Sequence, residues 1–502
     1  MANINKPSVY FLPIPAPGHL ISMLEVVKSL LQWNSTTGCT FSIHILLTQP
    51  KNPGEVSPIC SNYFQSLQSQ NLPIHFHPLP YVEPPYQYDG VEDFVTLYIR
   101  SYLPYIKAEL LASPSPVSGL VVDMFGSDVI DVAKELNIPS YIYFTSTATF
   151  LSVLLHLSNL QGKHDKLLDF SEVEEICVPG LTPIPSASMP IPLLDVQSAS
   201  YKRLTYHASE SCTWLTYHAR RFLEAKGIII NSNIHIEMKA VEALAKGITL
   251  RAPGRIFPEV YPIGPVISFG RSNIRGYECL KWLHEKPAKS VLFLCFGNMG
   301  FDVSQVRQIA IGLEQSGHRF LWVLRTPSKD FLRGPSDANL EILPEGFIER
   351  TKERGLVWPR LAPQIDILSH QAIGGFVTHC GWNSILESLW FGVPMIPWPI
   401  HSEQHLNAFQ LVNEMHVAVN LDVDINKMGF VSAMELERAI KQLMEAGSEE
   451  GRRVREQVEE VKSACRKAAQ IEGVSFVHLQ TLAGVLGKVR NVKPAVPGSG
   501  HN

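Results

Sequence analysis

The stretch from Leu361 to Gln404, LAPQIDILSHQAIGGFVTHCGWNSILESLWFGVPMIPWPIHSEQ, restricts the chain to an α/β fold built on a parallel sheet. Ile373 to Thr378 is a short apolar run, and His379-Cys-Gly-Trp-Asn-Ser384 is a tight polar turn. Ile385 to Phe391 then has helical spacing and stops at Gly392, a natural terminator. Val393 to Trp398 is the next strand-like run. A strand-turn-helix-strand unit of this kind offers its ligand site at the carboxyl ends of the strands. Gly381 lets the backbone come close, and Asn383 and Ser384 start a helix whose free N–H groups and positive dipole end suit a phosphate. His379 can donate one more hydrogen bond to the same anion. Glu403 and Gln404 open the following helix with a carboxylate and an amide, the groups that hold sugar hydroxyls.

The region Leu361–Gln404 resembles the donor-binding box of plant family 1 glycosyltransferases, which use UDP-sugars. The resemblance rests on Ala-Pro-Gln364, Gly-Gly-Phe376, His379 to Ser384, Glu387 with Ser388, Gly392-Val-Pro394 and Glu403-Gln404, all at fixed spacing. It implies a GT-B fold, two Rossmann-like domains facing each other across a cleft, with a UDP-sugar as co-substrate. It also implies that Glu387 holds the ribose hydroxyls, that Gln364 and Ala362 meet the uracil edge, and that Trp382 belongs to the donor site. Gln404 as the last residue of the box resembles glucose users. One position departs: the family begins the box with a Trp that stacks on uracil, and this chain has Leu361, with Trp358 and Arg360 just upstream.

Elsewhere the chain alternates strands and helices in two halves. Ser8 to Pro13 is a buried-strand run leading through Pro15-Ala-Pro-Gly-His-Leu20 into a helical pattern up to Leu31. His19 therefore sits at a strand-to-helix junction, with Gly18 beside it counted among the donor contacts. Ser118 to Asp123 is a second apolar strand, ending in an acid, and both ends should lie on one sheet edge. A His–carboxylate pair there would be a base with its orienting group, the nucleophile coming from the substrate. In the family these two positions are the general base and its partner. Thr145, after the strand from Pro139, falls where the family places a hydroxyl near the sugar, and a helix N-cap reads equally well. Asn298, after Phe296-Gly297, replaces the usual Ser contacting the diphosphate.

Domain boundaries are expected at 1–255 and 281–475, with a linker at 256–280 and a C-terminal helix, 476–490, crossing back onto the first domain. A helix is expected from Tyr201 to Arg221, and a surface loop from Thr326 to Leu343. The Pro-rich segment 161–198 suits an acceptor-specific surface.

Composition narrows the function. A net charge of −4 gives no reason to expect nucleic acid or an anionic membrane. The longest apolar region, Ile138 to Leu157, is interrupted by Ser, Thr, Pro and His, so no membrane span is expected. Eight cysteines without CxxC spacing read as reduced thiols. A cytoplasmic monomer is the expectation. Asp422-Val-Asp424 is a DxD, the metal pattern of another glycosyltransferase fold, and reads as a strand-end coincidence, so no metal is expected. An oxidoreductase would want GxGxxG after the first strand, which Pro15-Ala-Pro-Gly18 does not supply. The expected activity is inverting transfer of a sugar, glucose first, to a hydroxyl of a phenolic or terpenoid metabolite. The alternative is a sugar-nucleotide-binding protein without transfer activity.

Overall fold

A computed structural model describes residues 6–37, 41–49, 58–88, 90–161, 173–194, 204–205, 211–212, 214–250, 257–269, 277–297, 299–326, 336–427 and 429–488. Seven strands make the first sheet: β1 (Ser8–Leu12), β2 (Ser42–Leu47), β3 (Ile74–Pro78), β4 (Val117–Asp123), β5 (Ser140–Phe144), β6 (Gly227–Ile230) and β7 (Glu259–Pro262). Their order is β7-β6-β5-β4-β1-β2-β3, and every pair is parallel. Five strands make the second: β8 (Val291–Cys295), β9 (Arg319–Val323), β10 (Gly355–Trp358), β11 (Ile373–Thr378) and β12 (Met395–Pro397). They run in the order β10-β9-β8-β11-β12, again all parallel. Strands such as β1 and β8 are buried along their whole length, since helices cover both faces of each sheet.

The helices that matter for the site are α1 (Pro17–Thr37), α2 (Val91–Ser101), α3 (Ala148–Gln161), α4 (Trp214–Phe222), α5 (Trp382–Phe391), α6 (Gln404–Phe409) and α7 (Val474–Leu486). Proline opens α1, where its missing N–H costs nothing, so the helix starts three residues before the apolar periodicity does. His19 consequently lies in the first helical turn. Helix α5 ends at Gly392 in the left-handed conformation, φ 72°. The last helix, α7, packs Leu482, Ala483 and Leu486 into the core of the first sheet beside Val9 and Val121.

Three expectations need correction. The segment 256–280 is not linker throughout, because Val260 and Tyr261 pair with Ile228 and Ile229 and add strand β7 to the first sheet. The helix expected over 201–221 covers only Trp214–Phe222, preceded by the antiparallel pair Leu204–Thr205 and Ser211–Cys212. The 326–343 segment begins and continues with a short antiparallel pair, Arg325–Thr326 with Ser336–Asp337. Residues 162–172, 195–203 and the tail from 489 lie outside the described residues.

Candidate active site

The carboxyl ends of both sheets converge on one cleft. On the first domain, His19 Nδ1 lies 2.8 Å from Asp123 Oδ2. Asp123 is fully buried, and its other oxygen accepts from the Phe125 N–H at 3.1 Å, capping the 3-10 turn Met124–Gly126. Thr145 Oγ1 sits 3.1 Å from the same His19 nitrogen and donates to Met124 Sδ. The carboxylate can only accept, so Nδ1 carries the proton and Nε2 keeps its lone pair. Desolvation pushes the His19 pKa down, and the charge and hydrogen bond of Asp123, with Glu403 adding to them, push it up further than that; the net shift is upward. A quarter of the His19 side chain stays exposed, enough for a substrate oxygen to reach it.

The opposite wall is the turn after β11. Here Cys380 has φ 64°, an uncommon conformation for a non-glycine residue, held by a bond from Asn407 Nδ2 to its carbonyl at 2.9 Å. The half-buried His379 ring lies between Gly297 and Gly381: a Cβ on either would come within 2.8 Å of a ring atom. What approaches Gly381 so closely is thus the protein's own imidazole. Burial, with the charge of His401, holds the His379 pKa down at about 3 despite a backbone hydrogen bond at Cys295. The ring is therefore neutral and can offer an anion an N–H but no positive charge. Helix α5 begins here with no side-chain cap, and the buried His379 Nδ1 and Asn383 Oδ1 have no partner among the described residues. Free helix N–H groups suit a diphosphate, and His379 Nδ1 beside them is a further donor when it carries the ring's proton, whereas Asn383 Oδ1 can only accept and is no anion contact.

The remaining donor-box residues divide into two groups. Gln364 donates to Glu387 at 2.7 Å and to Ser384 at 3.0 Å, so one amide ties three of them together. Burial raises the Glu387 pKa to about 7, opposed by that bond from Gln364. Gln404 is buried, and its oxygen accepts from the Ile400 and His401 N–H groups at 2.9 and 3.0 Å. Glu403, the N-cap of α6, accepts from Ser146 of the first domain at 2.8 Å. Two residues serve the domain interface instead. The Trp382 indole is buried and donates to the Asn231 carbonyl at 2.7 Å, so its side chain joins the two domains. Asn383 donates across the cleft to the Gly18 carbonyl at 2.9 Å. At the start of the box, Trp358 is 5% exposed, packs in the second domain's core and donates to the Leu361 carbonyl at 3.3 Å. It is unavailable as a ring platform. Leu361 and Ala362 are half-buried and Arg360 is exposed, its guanidinium 5.9 Å from the Trp358 ring. Asn298 lies outside the described residues.

A sequence profile described as UDP-glucoronosyl and UDP-glucosyl transferase matches residues 231–450. Malvidin galactosylase UGT88C3 of Oryza sativa subsp. japonica is 42% identical over 95% of this chain and 97% of its own length. The chain belongs to the plant family 1 UDP-glycosyltransferases. A second relative, the anthocyanidin 5,3-O-glucosyltransferase of a Rosa hybrid cultivar, is 38% identical over 95% of this chain and 98% of its own. Among solved structures, Phytolacca americana UGT2 complexed with UDP-2-fluoro-glucose and pterostilbene superposes with a TM-score of 0.78. It is 34% identical and covers 96% of this chain and 100% of its own.

This glycosyltransferase is thus a GT-B enzyme that transfers sugar to small plant metabolites. Sequence reasoning missed several residues that assemble its cleft. Ser146 was visible only as half of a hydroxyl pair after β5. Gln410 donates to Thr149 at 2.6 Å and to Glu237 at 3.1 Å, and Glu237 accepts from the Ala148 and Thr149 N–H groups that open α3. A buried Glu and Gln at helix starts were the only available signal. Among the described residues, no helix is long and apolar enough to cross a membrane.

Proposed function

We propose that this enzyme inverts the donor's anomeric centre, moving glucose from UDP-glucose to a phenolic hydroxyl and giving a β-glycoside. The observation that carries this reading is the His19–Asp123 pair at 2.8 Å, across the cleft from the uncapped start of α5. His19 Nε2 takes the acceptor proton while the acceptor oxygen attacks the anomeric carbon from the face opposite UDP. The C–O bond to UDP breaks as the new one forms, through a transition state with oxocarbenium character. Asp123 stabilises the imidazolium that results, as the buried carboxylate of a triad does. The leaving diphosphate gains charge that the N–H groups of α5 and His379 stabilise most when the bond is breaking.

Glu403 and Gln404 hold the sugar hydroxyls in this reading, Glu387 the ribose, and Leu361, Ala362 and Gln364 the uracil. Dipoles and N–H donors supply what a divalent cation would, so no metal is required. Cys60, Cys177, Cys279, Cys295, Cys380 and Cys465 are free, which suits a cytoplasmic enzyme. The names of the relatives support an anthocyanidin or stilbene-like acceptor. Incubating the protein with UDP-glucose or UDP-galactose and a panel containing malvidin, pterostilbene and terpenoid alcohols, followed by mass spectrometry and NMR of the anomeric proton, tests it. A β-glucoside of a phenol is expected. An α-glycoside, or no transfer with either donor, overturns it.

A further inference from the structure

Behind the Met124–Gly126 turn lies a buried imidazole that the reaction itself does not use. His218 of α4 is 1% exposed, and both ring nitrogens are engaged: Nδ1 with Ser127 Oγ at 2.7 Å and Nε2 with Thr96 Oγ1 at 2.9 Å. The protons can be assigned. Thr96 gives its hydroxyl proton to the Glu92 carbonyl at 2.6 Å, so towards His218 it can only accept. Nε2 therefore carries the hydrogen, Nδ1 accepts, and Ser127 is the donor. Burial, with Arg100 and Arg221 adding to it against Asp128, holds the His218 pKa at about 3, so this neutral tautomer persists across the working range of pH.

The turn that His218 grips is the one that aims the base's partner. Asp123 opens it with one carboxylate oxygen on the Phe125 N–H and gives the other to His19. Ser127 closes it. Phe125, between them, has its ring 5.7 Å from His19 on one side and 5.8 Å from His218, edge-on, on the other. The turn is held at its start by its own cap and at its far end by Ser127 on His218, with the next residue, Asp128, tied to Arg100 and Tyr217. Loss of the His218 contact removes the hold on Ser127 and loosens the turn without freeing it, and with it the aim of the Asp123 carboxylate.

The geometry points to His218 as a positioning residue for the His19–Asp123 pair, acting through Ser127 and Phe125 while touching no substrate. The inference rests on the reading of His19 as the general base. Two variants weaken the grip by different routes: His218→Leu removes both hydrogen bonds, and Ser127→Ala removes only one. With UDP-glucose saturating, and pterostilbene or malvidin as acceptor according to which the wild type converts, kcat/KM for the acceptor should fall roughly 10-fold in either variant. Asp123 raises the His19 pKa, so a looser pair lowers it, and the acid limb of the profile should move down by about half a pH unit. His218→Gln keeps an amide donor and acceptor and should recover part of the rate. UDP affinity by calorimetry should not change, because the donor site lies on the other domain.

A purely structural role predicts a lower melting temperature and a smaller active fraction with the acid limb unmoved in both variants. That result overturns the inference, as does a change confined to UDP affinity. His19→Ala is run beside them: if it keeps near-normal turnover, the reading of His19 fails and takes this inference with it. An inactive His19→Ala beside unmoved limbs removes the inference alone.

Discussion

Ser146 Oγ donates to Glu403 Oε1 at 2.8 Å, joining the segment after β5 of the first domain to the N-cap of α6 in the second. The carboxylate expected to hold the donor sugar is therefore oriented by a hydroxyl from the opposite wall. Ser146→Ala should leave Glu403 free to turn. A hydrogen bond to a charged group is worth about 1.5–3 kcal/mol, so the KM for UDP-glucose should rise roughly 10-fold or more while UDP alone binds as before. An unchanged KM would show that Glu403 needs no such support.

His19→Ala should cost on the order of 10²–10⁴-fold in transfer to an alcohol or weakly acidic phenol, with UDP binding intact. A base works when deprotonated, and the His19 pKa is raised. Activity should therefore appear as pH rises through a midpoint above the ordinary histidine value of about 6.5. Asp123→Asn removes the main cause of the rise, so that midpoint should drop along with the rate. A midpoint that stays in place in Asp123→Asn contradicts the assignment.

Glu387 is the second group that should titrate in the working range, its pKa being raised to about 7 by burial. Above that pH the ionised carboxylate can accept from both Gln364 and the ribose hydroxyls. Below it the protonated acid loses part of that capacity, and UDP affinity should weaken as pH falls through about 7. Calorimetric titrations of UDP at several pH values check this, and Glu387→Gln should flatten the dependence.

At the head of the donor box, Trp358 belongs to the core, so Trp358→Ala should act on stability, by about 3–5 kcal/mol, before it acts on binding. Leu361 and Arg360 remain as the ring-facing candidates. Aromatic–base stacking is worth roughly 1–3 kcal/mol, so Leu361→Trp should tighten UDP by about 5- to 100-fold, seen in donor KM with kcat little changed. If Arg360 already covers the uracil, Arg360→Ala will be the damaging change and Leu361→Trp will overpack the site. Equal UDP affinity in all of these proteins would sink the placement of the base.

Activity should survive EDTA. Asp424 of the DxD is paired with Lys427 at 3.2 Å, and among the described residues no group of three or more His, Cys, Asp or Glu side chains is placed to hold a metal ion. Full loss on chelation with return on Mg²⁺ or Mn²⁺ is the contrary outcome, read directly from product formation.

Much of this enzyme was legible along the chain because the relevant physics is local. Apolar runs such as Ser8–Leu12 and Ile373–Thr378 can only be interior strands, Gly392 marks a helix end by its own conformation, and Asp302 caps the start of the helix Val303–Ser316. The polar turn His379–Ser384 is recognisable by its spacing, which is where its resemblance to the family's donor box lies. Boundaries suffered where a pairing partner decides the matter, as at Glu259–Pro262, whose four residues become a strand only against β6.

The sequence by itself determined the two α/β halves and the polar turn at the start of α5. Tertiary structure alone decided what the groups at the cleft do to one another. Ser146 meets Glu403 across 257 residues, a separation that no periodicity records, and the His19–Asp123 pair expected from a shared sheet edge acquires its 2.8 Å contact only in the fold. It joined the Trp382 indole to the Asn231 carbonyl and packed Trp358 into the core. It also settled protonation. The neutrality of His379 and the raised pKa of Glu387 follow from desolvation, a sum over every atom packed around the group, and that sum exists only once the chain has folded.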